Sequence, residues 1–119
     1  MEKVNIAQKF AQFSDTWSPK LIGRVNDMDV RLVKLKGEFV WHHHEHEDEM
    51  FFVVNGRLLI KFRDRDVWLD PGEFIIIPHG TEHLPVAEQD VEIMLFELST
   101  TLNTGNVVNE RTVAELQRL

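Results

Sequence analysis

The sequence predicts an all-β, antiparallel domain, a sandwich or a barrel, with a short helix at each end. Three observations carry this prediction. Short apolar segments follow one another closely from Lys20 to Ser99. Turn chemistry punctuates them at Asn55-Gly56, Asp70-Pro71-Gly72 and Pro78-His79-Gly80. No long stretch of helical period interrupts the run, which argues against a parallel α/β sheet.

In order, Asn5 to about Phe13 reads as the first helix, with Asn5 as cap, Gln8 three residues on, and Ile6, Phe10 and Phe13 on one face. Ser14 to Pro19 reads as a loop. Leu21 to Val25 and Val30 to Lys36 flank a polar turn at Asn26-Asp27-Met28-Asp29. Phe39 to His44 is the next strand after Gly37. Met50 to Val54 and Arg57 to Arg63 read as a hairpin joined by a type I′ turn at Asn55-Gly56. Val67 to Leu69, Phe74 to Ile77, Leu84 to Val86 and Val91 to Leu98 complete the set. After a polar loop, Thr112 is expected to start a C-terminal helix, with Glu115 placed for a capping box and Val113 and Leu116 as its apolar face. The expected organisation is an N-terminal helix and loop over 1–19, a β-domain over 20–99, and a loop with a short helix over 100–119.

Composition removes several function classes. A formal charge of −7 argues against nucleic acid, whose binding depends on Lys and Arg neutralising phosphates. No apolar run approaches a membrane span, and no signal-peptide pattern opens the chain. The absence of cysteine excludes disulfides and thiolate metal sites. A cytoplasmic location is the matching expectation.

The histidines carry the functional signal. All six fall in two clusters, four within Trp41–Glu49 and two within Pro78–His83. Residues two apart on a strand share a face, so His42 and His44 project together, while Trp41 and His43 point away. Glu49 opens the following strand and turns back to the same interior, with Val40, Phe51 and Val53 beside it. His83 arrives from far along the chain. Three imidazoles and one carboxylate suit a divalent transition metal such as Fe, Mn, Zn, Ni, Co or Cu. His44-x-His46 with Glu49 is an alternative register, which breaks the spacing described next. His43 is expected at a surface or interface, and His79 at the turn or the pocket mouth. Glu45, Glu47 and Asp48 are expected to form a solvated acidic rim, able to raise local cation affinity.

Two ordered motifs make the sequence resemble the cupin superfamily. The first reads Gly37, His42-x-His44, four residues, Glu49, six residues, Gly56. The gap from the glycine to the first histidine is one residue shorter than the family's usual one. The second reads Gly72, five residues, Pro78-x-Gly80, two residues, His83, with Ala87 where the family usually has Asn. With the strands around them the motifs cover roughly 20–99. The resemblance implies a small jelly-roll barrel, His42, His44, Glu49 and His83 as ligands of one metal ion, and a homodimer. Phe39, Trp41 and Phe52, placed outside the barrel, fit such an interface.

Two functions from different classes follow as expectations. One is a metal-dependent enzyme, of dioxygenase or isomerase type, acting on a small oxygen-donor substrate. The other is a non-catalytic module that binds or senses a small molecule or a metal. Glu97 and His79 are the candidates for proton transfer.

Overall fold

The computed structural model describes residues 1–119. Its elements are α1 (Ile6–Phe10), β1 (Lys20–Val25), β2 (Met28–Glu38), β3 (Glu49–Asn55), β4 (Leu58–Phe62), β5 (Asp66–Leu69), β6 (Phe74–Ile77), β7 (His83–Leu98) and β8 (Gln117–Arg118). The all-β prediction holds. The pairing runs β5-β4-β7-β2-β1-β8, with β3 between β7 and β6. The strands do not close a hydrogen-bonded ring, so the expected barrel is an open sheet bent over its core.

β7 organises the sheet. Its first part pairs with β4, from Phe62↔His83 to Leu59↔Val86. Its last part lies between β2 and β3, paired with both as far as Leu98 and Glu97. Two segments expected to be separate strands are thus one, bent at the exposed residues 88–90. The Asn55-Gly56 hairpin does not form. β3 pairs with β6 and β7, and β4 with β5 and β7, but not with each other. Gly56 instead turns a corner against the bend of β7. A Cβ there would stand 2.5 Å from the Asp90 carbonyl oxygen, and its φ is +84°. The glycine answers a close approach, not a type I′ turn.

The β1–β2 hairpin does form, with Val25 opposite Met28 and Asn26 at φ +54°. α1 is shorter than expected but keeps its cap, the Gln8 amide donating to Asn5 Oδ1 at 2.9 Å. The C-terminal helix is absent. Residues 117–118 pair in parallel with Lys20 and Leu21 on the edge of β1. So short a helix has no stability of its own, and pairing satisfies the same backbone groups.

Alternation along β2, β3 and β7 sorts the two faces of the sheet. The inner face carries Val33, Leu35, Phe51, Val53, Val91, Ile93 and Leu95, all in one cluster with Leu58, Ile60, Leu69 and Ile77. At one end of this face the apolar rows give way to charge. Asp29, Glu97 and Glu49 stand side by side across β2, β7 and β3, and Arg31 lies one row in. The outer face carries a second apolar band of paired rows, Val30–Phe96–Met50–Ile76 and Leu32–Met94–Phe52–Phe74.

Candidate metal centre

The segment 39–48 is not a strand. His42 makes a single antiparallel bridge to His83, each amide donating to the other's carbonyl at 3.1 and 2.9 Å. Strict alternation therefore fails at its ends. Phe39, expected outside, packs inward, stacked on Trp17 at 4.6 Å and edge-on to His42 at 5.3 Å. Val40, expected inside, lines no cavity beside the histidines; its carbonyl is the acceptor for His42 Nδ1 at 2.9 Å. Trp41 does lie outside, under the Arg63 guanidinium at 3.8 Å.

His42, His44, Glu49 and His83 come together. All four are buried, and one ligand atom from each lies within 4.8 Å of the others. A carbonyl can only accept, so His42 Nδ1 and His83 Nδ1 carry their protons toward Val40 O and Thr81 O. That leaves Nε2 of both rings bare, as metal-binding histidines require. His83 Nε2 and His44 Nε2 each lie 3.4 Å from Glu49 Oε1. Those three atoms, together with His44 Nδ1, have no geometrically good hydrogen-bond partner in the chain. Buried polar groups left in this state are costly unless something else satisfies them. The donor set therefore fits a divalent ion.

Electrostatics favours the ligand forms of His42 and Glu49 and the protonated form of His44. Burial first, and then the neighbouring His83, lowers His42 to about 4, so its ring is neutral near pH 7. Burial opposes a charge on His44, but the close approach and charge of Glu49 and the charge of Glu47 outweigh it and raise that ring's value. Burial also opposes ionisation of Glu49, yet the adjoining Glu97, His44 and His83 hold it well below the carboxylate range. Glu97 moves the opposite way, raised by burial and then by the charge of Glu49. Of the two carboxyls, Glu97 is the one whose surroundings favour the neutral form. Glu97 also accepts from Arg31 at 3.0 Å, and Arg31 donates twice to Asp29 and to the carbonyls of Ser99 and Thr101.

The remaining candidates fall elsewhere. His46 is exposed and takes no part in the cluster, which removes the alternative register. His43 lies outside it, half-buried, with its ring 3.9 Å from Glu45. His79 is exposed and donates its amide to Asp48, whose carboxylate also lies 2.9 Å from its ring.

Three features were missed from sequence. From sequence, Asp29 belongs to the polar turn and Arg31 to the next strand, whereas β2 begins at Met28 and sets both side chains on one face. Trp17 and Asn103 line a small cavity of about 40 Å³ beside His42 and Glu49, walled by Phe39, Phe51 and Ile93. Residues 100–106 strap the histidine segment from outside, with the His43 amide donating to Asn106 Oδ1 and the Asn106 amide to the His43 carbonyl. Nothing local in the sequence announces that contact.

The family model for the cupin domain matches residues 30–99. The chain belongs to the cupin family. A solved cupin-2 domain protein from Shewanella frigidimarina is 45% identical, with a TM-score of 0.79, covering 80% of this chain and 93% of that one. Uncharacterized protein YdbB of Bacillus subtilis is 42% identical over 79 residues, 66% of this chain and 64% of that protein. Acireductone dioxygenase of Bacillus licheniformis is 27% identical over 82 residues, 65% of this chain and 46% of that protein. The match thus spans less than two thirds of either curated relative. No helix of this cupin is long and apolar enough to cross a membrane.

Proposed function

We propose that this cupin holds one divalent transition-metal ion on His42, His44, Glu49 and His83, and that it is a metal-dependent enzyme of dioxygenase or isomerase type. The convergence of four buried ligand atoms within 4.8 Å carries the reading. The likeness to acireductone dioxygenase supports the oxygenase branch. An ion bound there supplies Lewis-acid polarisation of an oxygen donor. The chain's own residues do the rest. Val40 O and Thr81 O orient two imidazoles. Phe39, Phe51 and Trp17 exclude water from the cavity side. Glu97 keeps a proton next to Glu49. One carboxylate against a divalent charge leaves the site positive, and the cavity beside it is apolar. That pairing favours a small carboxylate, enolate or diketone over a phosphosugar.

The test is metal analysis of the purified chain by mass spectrometry, followed by oxygen uptake and product analysis with those compounds. Stoichiometric metal with turnover supports the reading; turnover of phosphosugars alone moves it to the isomerase branch. A metal-loaded chain with no turnover would favour the second reading, a non-catalytic binding or sensing module. The small size of the cavity speaks for that alternative.

We also propose a homodimer built through the outer apolar band. Phe74 and Ile76 are 57% and 56% exposed on the edge strand β6, contiguous with Met50 and Phe52. Apolar surface of this kind is ordinarily covered. Light scattering should give twice the chain mass, and Ile76→Glu should halve it. A wild-type monomer at micromolar concentration would reject the dimer.

A further inference from the structure

The four ligands separate two different spaces. On one side lies the apolar cavity lined by His42 and Glu49. On the other lies an open polar cleft of about 390 Å³, between the loop 45–48 and the strap 100–106, with His44 in its wall. His44 is 4% exposed, and neither of its ring nitrogens has a hydrogen-bond partner.

The residues around that cleft differ in what already engages them. Asp48, beyond its rim, is held by the His79 amide and ring. Glu45 is exposed and meets only the rings of His43 and His46, at 3.9 and 4.0 Å. Glu47 accepts one hydrogen bond, from Thr100 Oγ1 at 2.9 Å, and its charge reaches His44. His46 projects freely, its side chain 87% exposed. The cleft therefore presents two carboxylates and an imidazole on the solvent side of a buried, unpartnered imidazole. No cationic side chain lines it.

We propose that this cleft is the loading port of the metal centre: a transient site for a hydrated divalent cation, held by Glu45, Glu47 and His46 and handed inward to His44. The inference rests on the ligand set proposed above. The physical reason is focusing. Like charges lining a cleft with low-dielectric walls raise the local cation concentration and the association rate. An ion arriving here keeps oxygen partners while it sheds water, and the first buried ligand it meets is His44. The apolar cavity offers no comparable path, because Trp17, Phe39 and Phe51 would strip the ion of water without replacing it.

Cobalt(II) chloride mixed with the metal-free chain, followed by stopped-flow visible absorption, tests the route. The variant is Glu45→Gln/His46→Asn/Glu47→Gln, which keeps an acceptor for Thr100. Its control is Glu2→Gln/Glu88→Gln, which removes the same number of carboxylates from exposed positions outside the cleft. The port variant should bind cobalt on the order of ten-fold more slowly at low ionic strength, with the gap closing at high salt. Its dissociation rate and final cobalt stoichiometry should match the wild type. An unchanged association rate, or an equal fall in the control, overturns the port and leaves the ligand set standing. A wild-type chain that takes up no cobalt overturns both.

Discussion

Replacing Arg31 by Met should be among the most damaging single changes available in this chain. Arg31 is 1% exposed, and its guanidinium makes five hydrogen bonds to four acceptors: Asp29 Oδ2 at 3.1 and 2.9 Å, Glu97 Oε1 at 3.0 Å, Thr101 O at 2.9 Å and Ser99 O at 3.2 Å. Met fills similar volume but supplies no donor. Asp29 is then left with Arg24 alone, whose side chain is 46% exposed. Glu97 loses its cation while still facing Glu49. Removing one partner of a buried pair costs about 3–5 kcal/mol, because the other charge stays buried. An unfolding entropy of about 2.1 cal/mol/K per residue, over a chain of this length, turns 4 kcal/mol into roughly a 16 °C fall in Tm. Urea and thermal denaturation of the metal-free protein read this directly. The triple variant Asp29→Asn/Arg31→Met/Glu97→Gln should recover at least half of the loss, since no buried charge is stranded. A loss below about 1 kcal/mol, with nothing for the triple variant to recover, would refute the argument and put the network in the class of exposed ion pairs.

His42→Ala and His83→Ala should each abolish stoichiometric metal, while His43→Ala keeps it; mass spectrometry of the three proteins decides, and equal loss from His43→Ala would move the site. His42 in the metal-free chain should titrate near 4 by NMR, lowered by burial and by His83. An unfolded imidazole titrates near ~6.5, so between those values the unfolded chain binds the extra proton and stability falls as pH drops. The His42 contribution to that loss is complete below pH 4, at about 3 kcal/mol; a midpoint near ~6.5 would contradict it. His44, raised by Glu49 and Glu47 against its burial, should be the ligand that first competes with protons, so bound metal should fall on acidification and resist acid better in Glu47→Gln; occupancy that does not change with pH would contradict it. Gly105→Ala should loosen the strap, because a Cβ there collides with the His43 carbonyl at φ +58°; faster amide exchange at Asn106 is the expected signature.

The convergence of His42, His44, Glu49 and His83 was legible in the chain because the spacing that aims such side chains is local. His-x-His needs only a near-extended segment to point two rings one way, and Glu49 needs only to begin the next strand. Asn5 capping α1 and the β1–β2 turn were legible for the same reason: the interacting groups are within a few residues of each other. Periodicity also sorted Phe51 and Val53 from Phe52, since β3 is a regular strand. It failed at Phe39 and Val40, where regular pairing has ended and a single bridge to His83 sets the twist. The glycine of Asn55-Gly56 was read by its commonest local use, whereas its cause is the Asp90 carbonyl, 34 residues away in the chain. The C-terminal residues had helical signals but too few of them to outweigh an open edge on β1.

Residue type and spacing along the chain determined the strands, the turns and the identity of the donors. Tertiary structure alone decided which carboxylate stays charged. Glu49 and Glu97 are chemically equivalent in the sequence; pairing β3 with β7 sets them opposite each other, Arg31 and the two rings of His44 and His83 fall on different sides of the pair, and burial makes a second negative charge costly. That environment raises Glu97 and lowers Glu49, so it favours the neutral form of the first and the charged form of the second.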